Sequence, residues 1–207
     1  LNSMDTSICM GASIGMAFGF EKAQGPEFAQ ESVAVIGDST FWHSGVTGLI
    51  DVVYNQGHTT VIILDNSTTA MTGHQENPST GYNIKDKPAP DINFEQLGKA
   101  IGINRITTVD AYELKELEEI VKEETQAKEP SLIITKRPCV LQKRADMVNE
   151  PLQVDQSACT GCQKCLDIGC PALSFTGETV EIDQSLCVGC GLCTKLCNFS
   201  AIKEGDQ

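Results

Sequence analysis

The sequence of 207 residues is poor in positive charge and has no long hydrophobic run. Lysine and arginine together number 15, against 28 aspartates and glutamates, which gives a net charge of −13. Nucleic acids and anionic membranes are bound mainly through positive side chains, so this balance predicts neither partner. The apolar stretch at 8–18 is too short to cross a bilayer and no basic residue precedes it, so we predict a cytoplasmic protein with no membrane segment.

Cysteine is scarce in the first 158 residues and dense after them. Only Cys9 and Cys139 precede Cys159, whereas eight cysteines lie between Cys159 and Cys197. In a cytoplasmic protein these are ligands or thiols rather than disulfides. We interpret Cys9 and Cys139 as buried thiols, with a role of Cys9 beside a cofactor as the alternative.

The uneven cysteine content also predicts where the chain divides. Residues 1–138 contain enough apolar side chains to bury a core, whereas the segment after 151 has few large ones. A domain that small usually needs metal or disulfides to hold it together. We therefore predict a first domain at 1–138, a linker at 139–151 and a small metal-stabilised domain at 152–207.

The first domain alternates strand and helix patterns. Runs of β-branched and apolar residues predict buried strands at 32–37, 59–65, 103–109 and 131–135. Periodic apolar positions predict helices at 7–22, 44–56, 92–101 and 113–124, the second of them opened by Ser44. This alternation is typical of an α/β fold, in which a mostly parallel sheet is covered by helices and ligands bind beyond the carboxyl ends of the strands.

Polar residues follow the first two strands at those carboxyl ends. Asp38 comes directly after one strand and Asn66 after the next, 28 residues later, the length of one strand-helix-strand unit. Carboxylate, amide and backbone carbonyl oxygens suit Mg²⁺, and a helix N-terminus near Ser44 favours an anion such as a diphosphate. The alternative is that Asp38 caps a helix and Asn66 forms a turn.

The Gly37–Asp38 pair and the later Asn66 resemble the diphosphate-binding motif of thiamine diphosphate enzymes. The resemblance implies that Mg²⁺ binds Asp38, Asn66 and the carbonyl of Thr68, and that Gly37 and Ser39 lie beside the cofactor. The sequence departs from the family where Ser39 replaces a usual glycine and where Asp65 replaces a frequent asparagine. Neither of these two positions carries the metal.

Four further residues in the loops around this site are candidates for contact with cofactor or substrate. His43 and His74 could position substrate or move a proton, and a histidine bonded only to backbone is the alternative. Met71 and Thr72 lie in the long polar loop at 66–90 and are candidate cofactor contacts, although methionine also fills gaps in a core.

The cysteine-rich region writes one motif twice, as "DQSACTGCQKC" at 155–165 and "DQSLCVGCGLC" at 183–193. Three cysteines at intervals of three, followed by a distant fourth, are typical of small ferredoxin-like α+β domains with two [4Fe-4S] clusters, in which each fourth cysteine ligates the other cluster. The predicted ligand sets are Cys159, Cys162, Cys165 and Cys197 for one cluster, and Cys187, Cys190, Cys193 and Cys170 for the other. The alternative is a pair of zinc knuckles, which normally use isolated cysteine pairs.

A thiamine diphosphate half-site followed by a two-cluster domain resembles the arrangement of 2-oxoacid:ferredoxin oxidoreductases. The stretches "MDTSICMGASIGMAFGFEKA", "GDSTFWHSG" and "LDNSTTAMTGHQ" resemble the branch of that family that acts on aryl 2-oxo acids such as indolepyruvate. The resemblance implies oxidative decarboxylation of the 2-oxo acid to acyl-coenzyme A and CO₂, with electrons passing through both clusters to an external ferredoxin. A pyruvate-like substrate, a non-oxidative lyase and a simple electron carrier are the alternatives.

The same resemblance implies a partner. In thiamine diphosphate enzymes a glutamate on a second α/β domain activates the cofactor, and this chain has room for only one such domain. We therefore expect a companion β subunit, or further N-terminal domains, to complete the active site. Without them we expect the 207 residues to be inactive.

Overall fold

The computed structural model describes residues 4–142 and 150–204. It contains two compact units, Met4–Cys139 and the part that follows Cys139. Residues 143–149 of the predicted linker at 139–151 lie outside the described residues, and the domain limits stay a prediction. No helix in the described ranges is long and apolar enough to cross a membrane.

A four-stranded sheet forms the centre of the first unit. Its strands β1 to β4 are Val33–Gly37, Thr60–Asp65, Arg105–Val109 and Ser131–Lys136. They lie in the order β1-β2-β4-β3, and each neighbouring pair is parallel. The prediction of a mostly parallel sheet is confirmed. Because Gly37 pairs with Leu64, the chain leaves β1 and β2 at adjacent points of the same sheet edge.

Helices cover both faces of the sheet, as the apolar strands require. They are α1 (Ser13–Gln24), α2 (Asp38–Thr40), α3 (Val46–Tyr54), α4 (Phe94–Ile101) and α5 (Leu114–Thr125). On one face Ile14 of α1 and Leu49 of α3 are fully buried in the same core cluster as Ile63 of β2. On the other face the core cluster joins Ile133 of β4 to Leu117 of α5.

The first helix begins later than predicted. Helix α1 starts at Ser13 rather than residue 7, because the Ala12 N–H closes a turn onto the Cys9 carbonyl and Gly11 adopts a φ of +92°. A Cβ at Gly11 would lie 2.4 Å from the Cβ of Ser44, so only glycine fits there. Cys9 is exposed, so its interpretation as a buried thiol is wrong, and Cys139 is half-buried.

The helix after β1 begins six residues earlier than the pattern predicts. Gly37 is extended and Asp38 already belongs to α2, so Ser44 does not open the helix. Ser44 lies in a π-helical segment, Phe41–Gly45, which joins α2 to α3. The helix N-terminus that we expected near Ser44 is therefore at Asp38 itself. π segments of this kind occur often at functional sites.

The second unit is a small α+β domain with two halves, each of which contains one pair of antiparallel strands. Strand β5 (Leu152–Val154) pairs with β8 (Ile202–Glu204), and β6 (Leu173–Phe175) pairs with β7 (Val180–Ile182), both antiparallel. A 3-10 turn at Lys164–Ile168 and helix α6 (Leu192–Leu196) begin at the ends of the two cysteine runs and contain the third cysteine of each. Its core includes Cys165 and Cys193 beside Leu152, Val180 and Ile202, so thiol sulfurs make up part of the packed interior.

Candidate functional site

Asp38 is the centre of the polar site at the carboxyl edge of the sheet. Its carboxylate is 4% exposed and accepts hydrogen bonds on both oxygens. The Ser39 N–H donates to Oδ1 over 2.7 Å, and the Asn77 side-chain amide donates to Oδ2 over 3.1 Å. The backbone N–H of Thr68 also stabilises the carboxylate. The structure thus brings Asp38 together with the loop that follows β2.

The electrostatics of this site favour a bound cation. Burial raises the pKa of Asp38, and the charge of Asp65 raises it further, while hydrogen bonds from Ser39, Asn77 and Thr68 lower it. Asp65 is buried as well, and its Oδ2 lies 3.7 Å from the Nζ of Lys136, which is exposed. Two neighbouring buried carboxylates repel each other. A divalent ion with oxygen ligands would relieve that repulsion, so the residues present fit Mg²⁺.

The turn after β2 contains the other predicted ligands, Asn66 and Thr68. Ser67 adopts a left-handed φ of +57°, which lets Asp65 Oδ1 accept the Ser67 N–H over 2.9 Å. Asn66 Oδ1 accepts the Thr68 N–H over 3.2 Å, and Thr68 is buried. Asp65, where the family often has asparagine, therefore supports the turn. The side chain of Asn66 and the carbonyl of Thr68 could complete a metal site with Asp38.

Asn77 is a residue of the site that the sequence analysis missed. It is 6% exposed and lies 39 residues along the chain from the carboxylate that it contacts. The local signal was an Asn-Pro-Ser sequence in a loop, which is typical of a turn. A turn pattern carries no information about a partner so far away in the chain. Only the fold of the loop at 66–90 over the strand ends brings Asn77 to Asp38.

The two predicted histidines are both exposed. His43 is exposed on the π segment, and its Nδ1 lies 2.6 Å from the Ser44 hydroxyl. His74 is exposed with a φ of +61°, and its N–H donates to the Thr69 carbonyl over 3.1 Å. Within the described residues no hydrogen bond joins either histidine to Asp38. Their roles stay predictions.

Two further candidates lie in the 3-10 turn Ala70–Thr72 of the long loop. Met71 is 87% exposed, which contradicts the alternative that it fills a core gap. Thr72 bonds to Gln75 twice: its hydroxyl donates to Gln75 Oε1 over 2.5 Å, and its carbonyl accepts from Gln75 Nε2 over 2.6 Å. These two bonds hold the turn closed. A contact of either residue with a cofactor stays a prediction.

The eight clustered cysteines form two groups in space. Cys159, Cys162, Cys165 and Cys197 line one cavity of about 340 Å³, which includes its open mouth. Burial raises the pKa of Cys165, and the other three thiols of that group raise it further. The cavity is otherwise lined mostly by apolar side chains, among them Val180 and Ile202. Four sulfurs around such a space fit an iron-sulfur cluster.

The second group has the composition that crossed ligation predicts. Burial, and then the neighbouring thiols of Cys190, Cys187 and Cys170, raise the pKa of Cys193 to about 11. Cys170 therefore lies near the run at 187–193 although it follows the run at 159–165 in sequence. At neutral pH the Cys193 thiol is therefore protonated, so binding of iron there must displace its proton. Ligation of a cluster by these sulfurs stays a prediction.

The repeated "DQS" builds the same turn before each cysteine triplet. Asp155 Oδ1 accepts the N–H and hydroxyl of Ser157 over 3.1 and 2.6 Å, and Asp183 Oδ1 accepts those of Ser185 over 2.8 and 2.6 Å. The Ser157 hydroxyl and then Lys203 lower the pKa of Asp155 to about 2. Each carboxylate is therefore ionised at neutral pH and holds the start of its cysteine loop.

The glutamine of each motif bonds to the opposite half of the small domain. Gln156 Nε2 donates to the Val180 carbonyl over 3.2 Å, and Gln184 Nε2 donates to the Leu152 carbonyl over 2.8 Å. The two bonds are related by the same 28-residue shift as the motifs. The Leu152 N–H in turn donates to the sulfur of Cys187 over 3.4 Å. Each copy of the motif thus forms a turn in its own half of the domain and a hydrogen bond to the other half.

Comparison with known proteins identifies the family. The family described as "Thiamine pyrophosphate enzyme, C-terminal TPP binding domain" matches residues 1–135. The chain belongs to the thiamine pyrophosphate enzymes. A second family, described as "4Fe-4S binding domain", matches residues 179–202. The α/β unit and a cysteine motif thus each match a family whose chemistry suits the geometry described above.

Relatives of known name share the whole length of the chain. The chain is 35% identical to indolepyruvate oxidoreductase subunit IorA of Pyrococcus horikoshii, over all of the chain and 35% of that protein. It is 36% identical to the same subunit of Archaeoglobus fulgidus, over 98% of the chain and 33% of that protein. These matches confirm the resemblance to the indolepyruvate branch. The chain spans about a third of the length of these relatives.

A solved structure supports the fold independently. A 2-oxoglutarate:ferredoxin oxidoreductase from Magnetococcus marinus, determined with 2-oxoglutarate, coenzyme A and succinyl-CoA bound, superposes with a TM-score of 0.57. The match covers 66% of this chain and 48% of that one at 16% identity. At that identity the likeness shows a shared fold, which is the helix-covered parallel sheet predicted from the sequence.

Proposed function

We propose that the chain is the diphosphate-binding and electron-conducting part of a cytoplasmic 2-oxoacid:ferredoxin oxidoreductase that acts on aryl 2-oxo acids, indolepyruvate among them. The observation that carries this proposal is that one chain holds both a buried carboxylate site on a thiamine pyrophosphate enzyme domain and two groups of four cysteines. A non-oxidative lyase has no use for the cysteines. An electron carrier has no use for Asp38.

In this proposal the chain's own residues have two tasks. Asp38, Asn66 and the Thr68 carbonyl would hold Mg²⁺ through oxygen ligands, and the ion would neutralise the diphosphate of the cofactor. Thiamine diphosphate supplies the nucleophilic carbon at which the 2-oxo acid loses CO₂. The eight cysteines hold two clusters, each of which accepts one electron at a time.

The overall reaction balances with these parts. One 2-oxo acid and one coenzyme A give one acyl-coenzyme A, one CO₂, one proton and two electrons. The two electrons require an acceptor, which would be two molecules of oxidised external ferredoxin, and the clusters held by the eight cysteines would supply one-electron carriers between the two. A companion subunit or further domains would supply the second half of the cofactor site, which agrees with the greater length of the relatives.

The proposal is tested by mixing the chain and its companion subunit with indolepyruvate, coenzyme A and a low-potential dye. We expect the dye to be reduced only when coenzyme A, Mg²⁺ and thiamine diphosphate are all present. CO₂ release without dye reduction would select the lyase instead. Dye reduction by reduced ferredoxin but never by a 2-oxo acid would select the electron carrier. A pyruvate control measures the preference for the aryl side chain.

The iron content gives an independent prediction. Anaerobically purified chain should be brown and contain about eight irons, two clusters of four, because each cluster needs four thiolates. Metal analysis by mass spectrometry measures this directly. About two zinc ions per chain with no iron would show that the cysteines form zinc knuckles.

A further inference from the structure

Asn77 reaches Asp38 from the long loop after β2 in a fixed orientation. Its Oδ1 accepts the N–H and the hydroxyl of Ser79 over 3.0 and 2.8 Å. Because the Ser79 N–H can only donate, the oxygen of the amide must face Ser79 and the nitrogen must face Asp38. The Asn77 carbonyl also accepts the N–H and hydroxyl of Thr80 over 3.1 and 2.9 Å. The hydrogen bonds within the turn at 77–80 therefore fix the orientation of the amide independently of its bond to Asp38.

The carboxylate of Asp38 is in turn fixed through both of its oxygens. The Ser39 N–H is a neighbour in sequence and would follow any movement of Asp38, so by itself it fixes little. The Asn77 amide comes from a separate segment and binds the other oxygen over 3.1 Å. Asp38 and Asn77 are both buried. Because water could not easily replace the hydrogen bond between them, its loss would cost free energy.

We propose that Asn77 is a positioning residue that orients the Asp38 carboxylate for Mg²⁺. This inference rests on the proposed function, since it requires that Asp38 bind the metal. Groups that hold a metal ligand in place typically contribute about 10- to 100-fold to metal affinity. Asn77 also links the loop that carries His74 and Met71 to the metal ligand.

A positioning role of Asn77 and a merely structural role predict different changes in Mg²⁺ and Ca²⁺ affinity. Mg²⁺ demands near-ideal octahedral geometry, whereas Ca²⁺ accepts six to eight oxygens in flexible arrangements. A carboxylate free to rotate should therefore lose much more affinity for Mg²⁺ than for Ca²⁺. If Asn77 only stabilised the loop, removing it would weaken both ions equally.

The experiment measures Mg²⁺ and Ca²⁺ binding to the full chain together with its companion subunit, in the presence of saturating thiamine diphosphate, by titration calorimetry. For Asn77→Ser we expect Mg²⁺ affinity to fall about 10- to 100-fold and the Mg²⁺/Ca²⁺ affinity ratio to shrink, with iron content unchanged. Ser79→Ala, which keeps Asn77 but loosens its amide, should change the ratio in the same direction by less. Asn83→Ser is the matched control, because Asn83 is exposed in the same loop and its side-chain oxygen accepts the nearby N–H groups of Lys85 and Lys87.

The possible outcomes separate this inference from the proposed function. Equal losses of Mg²⁺ and Ca²⁺ affinity, or no loss in either Asn77→Ser or Ser79→Ala, would overturn the role of Asn77 while leaving the metal site intact. Absence of any Mg²⁺-dependent cofactor binding by the unmutated chain together with its companion subunit would overturn the proposed function, and the inference with it.

Discussion

Asp38→Ala is expected to abolish Mg²⁺-dependent binding of thiamine diphosphate and to leave the iron content unchanged. The substitution removes the one charged oxygen ligand of the proposed metal site, so the loss should exceed the roughly 100-fold that even an outer-shell residue can contribute. The cysteine groups belong to a separate compact unit with its own core, so they should assemble clusters normally. Titration calorimetry and iron analysis on the same sample measure both effects.

The matched control for this substitution is Asp51→Ala. Asp51 is an exposed aspartate on α3, and its carboxylate accepts a hydrogen bond from Asn55 one turn later. The control changes net charge by the same amount and should leave cofactor affinity unaltered. Unchanged thiamine diphosphate affinity in Asp38→Ala would show that the cofactor binds elsewhere, and the assignment of Asp38 would then be wrong.

Cys170→Ala is expected to destroy the cluster held by Cys187, Cys190 and Cys193 and to spare the other one. The reason is spatial, because Cys170 contributes to the electrostatic environment of Cys193 even though it follows the first cysteine run. About four of eight irons should remain. Electron paramagnetic resonance of the reduced protein should show the magnetic interaction between two clusters disappear.

The identity of the surviving cluster decides between crossed and uncrossed ligation. Adding Cys162→Ala to the Cys170→Ala background should remove the remaining irons if the ligation is crossed. Cys139→Ser provides the control. Because Cys139 lies in the other unit, this variant should retain all eight irons. Selective loss of the cluster at Cys159, Cys162 and Cys165 in the single variant would contradict the crossed assignment.

The central sheet could be predicted because each of its strands is recognisable from residues that are neighbours in the sequence. Strands such as Thr60–Asp65 are β-branched, apolar and bounded by turn residues, and parallel strands must deliver their carboxyl ends to one edge. That rule is enough to place Asp38 beside Asn66 from the order of the residues alone. The cysteine groups follow from spacing in the same way, because intervals of three residues wrap one corner of a cluster.

The features that could not be predicted depend on contacts between distant segments. Asn77 shows only a turn pattern, and its partner lies 39 residues away. Ser44 has the chemistry of a helix cap, yet the helix begins at Asp38 because the chain turns directly from strand into helix after Gly37. Helix α1 starts late because Gly11 must pass against Ser44, which no periodic pattern records.

The most direct test of the account is whether substrate reduces the chain's own clusters. The chain and its companion subunit are mixed anaerobically with indolepyruvate, coenzyme A, Mg²⁺ and thiamine diphosphate, and the visible absorbance of the clusters is followed without dye or ferredoxin. We predict that the clusters bleach in the intact protein and stay oxidised in Asp38→Ala, although dithionite reduces both. The contradicting result is that, in protein that has bound the cofactor, dithionite reduces the clusters but indolepyruvate does not. Electrons from the 2-oxo acid would then not reach the clusters of this chain.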